Sequence, residues 1–178
     1  MRKITLLIAF IGMIALQGCT GPQGAPGQNG QDGLLSEVFE LQNVSFGFDT
    51  TNGYNIYRTL SPNIYASDNL LIYRMTGTIN STTPIWQLIP RTLYLTQGQL
   101  DYDYDFSKVD FTIYAGGNYD ISTTPAYLTN QTFRVVVIPG YFSNKMKTVD
   151  TSDYNAVIKA YNIDDSNVKI LKQIINNQ

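Results

Sequence analysis

The sequence predicts a mainly β fold, an antiparallel β-sandwich or barrel-like domain with one helix near its C-terminal end. Three observations predict it. Residues 100–106, LDYDYDF, alternate without a break, with Leu100, Tyr102, Tyr104 and Phe106 on one face and Asp101, Asp103 and Asp105 on the other. After Ser107 and Lys108 the alternation resumes in VDFTIYA through Val109, Phe111 and Ile113, so the two runs read as a hairpin. Residues 133–139, FRVVVIP, are a more continuous apolar run, as a strand covered on both faces requires.

Taken in chain order, strands are expected over 38–48, 69–79, 86–95, the hairpin of 100–113, and 132–139. One helix follows. Tyr154, Val157, Ile158 and Tyr161 fall at i, i+3, i+4 and i+7 and form a single apolar stripe. Thr151 or Ser152 suits the cap of its first turn, and Asp153 suits the positive end of its dipole. Residues 168–175 fit either a second short helix or a closing strand. The folded domain is thus placed at 34–178, after two segments of different character.

The first of these, residues 1–18, has the order of a secretory signal: Arg2 and Lys3, an apolar stretch from Ile4 to Leu16, then small residues before the lone cysteine of the chain. At ~1.5 Å per residue the apolar stretch covers roughly 20 Å of helix, short of the ~30 Å hydrocarbon layer. Leu16, Gln17, Gly18 and Cys19 resemble the lipobox of bacterial lipoproteins. That resemblance implies cleavage between Gly18 and Cys19 and lipidation of Cys19; the alternative is an ordinary secretory signal with a leftover thiol. Loss of Arg2 and Lys3 makes the chain two charges more negative than its formal −2.

The second segment, 19–33, carries Gly21, Gly24, Gly27, Gly30 and Gly33 at every third position, the Gly-X-Y period of collagen. So short a run gives few interchain bonds against the entropy of aligning three strands, which favours a single-chain tether over a local trimer. In polyproline form at ~3.1 Å per residue it would reach roughly 43 Å from the lipid surface.

Composition excludes several kinds of chemistry. The chain has no histidine, so Ser-His-Asp and Cys-His catalysis and histidine metal sites are absent. Its only glutamates are Glu37 and Glu40, and with Cys19 acylated no thiolate remains. The acidic balance argues against a nucleic-acid partner. The expectation is a non-enzymatic monomer without cofactor or metal.

Candidate sites have plain structural readings beside them. Asp101, Asp103 and Asp105 begin like a calcium loop, but Phe106 replaces the required glycine and Thr112 stands where the twelfth-position glutamate belongs, so a solvated strand face is expected. Trp86 and the tyrosines could stack against sugar rings, yet strands favour aromatics, and Trp86 beside Ile85, Leu88 and Ile89 reads as core. Asp49-Thr50-Thr51 resembles an O-glycosylation acceptor used on exported proteins, with Thr50 as the acceptor in a turn near Gly53.

The segments GLLSEVFELQNVSF, NLLIYRMTG, IWQLIPRTLYL, GQLDYDYDF, TFRVVVIPGYF and YNAVIKAYNI, in that order, resemble small collagen-like lipoproteins of Gram-negative bacteria. The resemblance implies export, an acylated Cys19 in the outer membrane and a compact β-rich domain beyond the tether. It implies a lipid-anchored envelope protein that contacts other envelope proteins or glycans. The alternative is a surface-displayed, adhesin-like module that binds glycan or another cell. The first acidic residue after Cys19 is Asp32, which favours the periplasmic face over the cell surface.

Overall fold

The computed structural model describes residues 36–142 and 148–171. The signal segment 1–18, the lipobox, the five glycines of the tether and the boundary at 34 lie outside the described residues. Strands follow in the order β1 (Glu37–Val44), β2 (Gly47–Asp49), β3 (Gly53–Thr59), β4 (Asn69–Asn80), β5 (Thr83–Ile89), β6 (Arg91–Leu95), β7 (Gly98–Phe106), β8 (Asp110–Gly117), β9 (Gln131–Ile138) and β10 (Lys169–Ile170). A helix, α1 (Tyr154–Tyr161), precedes β10.

The strands form two five-stranded sheets, sheet A in the order β10-β1-β9-β4-β5 and sheet B in the order β2-β3-β8-β7-β6. Pairing is antiparallel except where β10 lies parallel to β1. Each sheet keeps its own edges, so the architecture is a sandwich and not a closed barrel. Between the sheets, Phe39, Leu41, Phe133 and Val135 of sheet A meet Ile56, Leu100, Tyr102, Phe111 and Ile113 of sheet B, all buried. Each such side chain contributes about 1.5–3 kcal/mol by leaving water.

A second, smaller core forms on the outer side of sheet A. There Tyr154, Val157 and Tyr161 of α1 pack on Val38, Leu71, Tyr73, Val136 and Ile138. This layer explains FRVVVIP: Phe133, Val135 and Val137 face the sandwich core while Val136 and Ile138 face the helix. The Tyr73 hydroxyl, buried beneath it, donates to the Thr151 carbonyl at 2.7 Å.

The structure corrects several element boundaries. The strand expected over 38–48 is two strands in different sheets. Asn43 adopts a left-handed φ of 52°, the β1–β9 register slips between Leu41 and Val44, and the chain then crosses into sheet B as β2. Val44 and Phe46 both point into the shared core, so the apolar pattern runs on across the break. The strand expected over 86–95 likewise divides at Pro90, which has no amide proton for a ladder, with β5 in sheet A and β6 in sheet B. The strand β3 had no counterpart in the sequence pattern, because Arg58 occupies an inward position where an apolar residue would mark alternation.

The helix covers the expected residues, but its cap is Asp153 instead of Thr151 or Ser152. The Asp153 carboxylate accepts from the Asn155 and Ala156 amides at 2.9 and 3.2 Å, as the residue directly before the first turn is placed to do. Of the two readings for 168–175 the closing strand holds at β10; residues 172–175 lie outside the described residues. The β7–β8 hairpin is present, with Phe106 opposite Phe111. Val109 falls in its turn and is exposed, where the alternation had placed it inward.

Candidate functional site

Helix α1 covers one end of the outer face of sheet A and leaves the other end open. Strand register decides what lies there. Arg134 of β9 stands opposite Glu40 of β1 and Tyr73 of β4, and Met75 of β4 stands opposite Trp86 of β5. Because alternate residues share a face, Gln42 and Thr132 join them. The side chains border a groove of about 360 Å³, closed on its far side by Thr78, Ser81, Thr82 and Pro84 of the β4–β5 hairpin.

The backbone is irregular on both sides of this groove. On β1 the slip between Leu41 and Val44 isolates Gln42 and Asn43, and Asn is among the few non-glycine residues that tolerate the left-handed φ found there. On β4 the register slips between Met75 and Gly77 and again between Thr78 and Asn80. Bulges re-aim side chains and end regular pairing, and they occur often beside functional sites. Here they hold Gln42, Asn43, Met75 and Thr78 at the groove wall.

A charged network forms the floor. Arg134 Nε donates to Glu40 Oε2 at 2.7 Å, and Arg134 Nη1 donates to the Tyr154 hydroxyl at 2.7 Å and to Asp165 Oδ2 at 3.3 Å. Gln42 Nε2 donates to the other oxygen of Glu40 at 2.6 Å, and the Tyr154 hydroxyl donates to Asp165 at 2.8 Å. The guanidinium also lies 4.5 Å from the centroid of the Trp86 ring and 5.2 Å from that of Tyr154. Burial works against the charge of Arg134, but the hydrogen bond it donates to Glu40 and the Tyr154 contact outweigh it and raise its pKa. Burial first, then the bond to Asp165, pushes the Tyr154 hydroxyl up, so it stays a neutral donor.

Trp86 is therefore not simple core. It is half-buried, packed against Arg134 and Tyr154, with the rest of the indole lining the groove, because β5 is the edge strand of sheet A and the helix stops short of its far end. Thr50 lies on the exposed β2–β3 turn, which the Asp49 carboxylate organises by accepting from the Thr51 and Asn52 amides at 2.8 and 2.7 Å. These bonds, that from Asn52 foremost, hold the Asp49 carboxyl below its ordinary value. Asp101, Asp103 and Asp105 point outward from β7 and are engaged separately: Asp101 by the Thr92 hydroxyl, Asp105 by the Tyr114 hydroxyl at 2.9 Å. Among the described residues no group of three or more acidic or cysteine side chains is arranged to hold a metal ion.

The sequence pattern had not singled out Glu40, Gln42, Asn43, Thr132 or Arg134. One signal was available: Arg134 is the sole charge inside FRVVVIP, and Glu40 is one of only two glutamates and lies within an apolar strand. Their pairing depends on register across strands separated by most of the domain. A second hollow, about 380 Å³ and bordered by Asn63, Ile64, Tyr65, Ala66, Lys108 and Val109, has no comparable convergence of aromatic and hydrogen-bonding groups.

Nothing matches this chain among protein-family models, curated proteins or solved structures. Its sandwich and groove stand on their own geometry. No helix among the described residues is long and apolar enough to cross a membrane.

Proposed function

We propose that this chain is a non-enzymatic, lipid-anchored protein of the bacterial outer membrane whose β-sandwich binds another envelope component in the groove of sheet A. The observation that carries the binding role is the groove itself, where three backbone irregularities and a charged network converge on one open end of a sheet. A non-enzymatic role is supported by the state of Glu40. Both its oxygens accept hydrogen bonds, from Arg134 and from Gln42, so it is engaged in holding the groove floor together.

The anchor rests on Leu16-Gln17-Gly18-Cys19, and the tether on the five glycines that follow. Several acyl chains at about 0.8 kcal/mol per buried CH₂ would make release from the membrane negligible. Metabolic labelling with a fatty-acid analogue tests this: wild type takes up label and Cys19→Ser does not. Equal label on both would remove the lipoprotein reading. Protease treatment of intact cells then separates the periplasmic face, where the domain is protected, from surface display, where it is cut.

A further inference from the structure

We infer that the groove of sheet A takes a neutral saccharide, its ring against Trp86 and its hydroxyls bonded to the amide and hydroxyl side chains around it. This rests on the proposal that the groove is a binding site, and names what it binds.

The first argument is charge. Among the described residues the groove holds one cation, Arg134, and two of its three hydrogen-bond partners are the carboxylates Glu40 and Asp165. An anionic ligand would meet two negative charges and a guanidinium already engaged. Among the described residues no lysine borders the groove, and every lining residue other than Glu40 and Arg134 is uncharged. A cationic ligand would have to share Glu40 with Arg134 and Gln42, which already hold it.

The second argument is the kind of surface left over. Trp86, Met75 and Pro84 supply apolar contact, while Gln42, Asn43 and Thr132 bring amides and a hydroxyl. A wholly apolar ligand would strip water from those polar groups without replacing its hydrogen bonds, at a cost for each. A sugar ring has the matching division: an apolar face of C–H groups and a rim of hydroxyls that both donate and accept. Side-chain amides suit that rim because each carries a donor pair and an acceptor. Aromatic rings with polar neighbours are the general means of holding such amphipathic ligands.

The third argument is placement. Trp86 is held from behind by Arg134 and Tyr154, so its ring is fixed before any ligand arrives. Gln42 and Asn43 are exposed and stand at the β1 irregularity, so they owe their direction to the bulge and not to core packing. The groove is open, which suits a segment of a longer chain of sugars.

Trp86 is the only tryptophan in the sequence, so its fluorescence reports the groove alone. The test titrates the full chain, in a detergent without a sugar headgroup, with neutral tetrasaccharides of glucose and of N-acetylglucosamine in both linkages, with tetragalacturonate, and with an uncharged tetrapeptide. The expected result is a saturable change in emission with at least one neutral sugar and none with tetragalacturonate or the peptide. Asn43→Gly keeps the left-handed backbone and removes the amide; with Gln42→Ala it is expected to weaken binding about tenfold, while the melting midpoint falls only by what the lost Gln42–Glu40 bond contributes and the domain stays folded. Response to the anionic or peptide probe but to no neutral sugar would overturn the saccharide assignment and leave the groove as a binding site. Silence towards every probe would overturn both. Sugar binding untouched by the two substitutions would place the ligand elsewhere and overturn the inference.

Discussion

The outer faces of the two sheets differ although both sheets share one core. On sheet A, helix α1 buries Val136 and Ile138 of β9, and the uncovered end carries the Arg134 network. On sheet B, the outward positions of β7 and β8 are Asp103, Asp105, Thr112 and Tyr114, polar groups bonded to near neighbours. Two arginines, one from each sheet, make the contrast chemical. Arg134 points outward into a ring of acceptors, whereas Arg58 of β3 points inward, is 5% exposed, and gives only Nη1 to the Tyr57 carbonyl at 2.6 Å. Its Nε and Nη2 have no hydrogen-bond partner among the described residues, and burial lowers its pKa. Arg134 is thus gathered into a site at the outer face of its sheet, while Arg58, inside the sandwich, is left short of partners.

The largest expected effect tests the part the sheets have in common. Phe133→Ala removes a fully buried ring that touches Phe46 and Tyr102, and is expected to cost about 3–5 kcal/mol, read as a lower denaturant midpoint. A loss below about 1 kcal/mol would mean the two sheets are not packed on this ring.

The two arginines should then move in opposite directions. Arg134→Met leaves Glu40 and Asp165 without their cation and is expected to destabilise by roughly 3 kcal/mol. Arg58→Met replaces an unpaired buried guanidinium with an apolar side chain of similar length, and a gain of about 1–2 kcal/mol is expected. Equal signs in equilibrium unfolding would erase the contrast between the faces.

Alkaline titration sharpens it for tyrosine. Burial pushes the Tyr102 hydroxyl up to about 12, and its bond to the Tyr127 carbonyl keeps it a donor. Below about pH 10 the group is neutral in both states and contributes fully. Between about pH 10 and 12 the unfolded chain loses this proton first, so stability falls, by about 2 kcal/mol at the upper end. Tyr102→Phe is less stable at neutral pH, and its urea midpoint is expected to fall less steeply over that window. Parallel slopes would show that Tyr102 is not the group responsible.

The smallest effect belongs to the open face of sheet B. Replacing Asp101, Asp103 and Asp105 together with asparagine is expected to change stability by no more than about 0.5 kcal/mol per site, and calcium is expected to leave the wild-type midpoint in place. Calcium bound only by the folded state at a hundred times its dissociation constant would add about 2.7 kcal/mol, so a calcium-dependent rise lost in the triple variant would replace a solvated face with a metal site.

Local pattern was enough for the fold class and for much of the strand map. β7 and β8 alternate because one face of sheet B is wet, β9 is continuous because both its faces are covered, and α1 shows its stripe because only one side meets the sheet. Pattern failed where it could not register a change of sheet. Val44 and Phe46, or Ile89 and Leu93, face one core from two different layers, so apolar periodicity runs through Asn43 and Pro90 without recording the crossing. It failed again at β3, where inward Arg58 hides the alternation.

The groove belongs to the tertiary structure. Glu40 and Arg134 lie 94 residues apart and are joined only by the β1–β9 register, and Trp86 meets them because β5 follows β4 at the edge of the same sheet. By itself the sequence determined which residues are apolar, where alternation demands strands, and that histidine and thiolate chemistry have no place in the domain, because those properties are local to each residue and its near neighbours. Which strands pair, in what register, and how far a single short helix reaches across a sheet depend on packing between distant segments. That packing alone decided that Trp86 borders a polar groove instead of disappearing into the core.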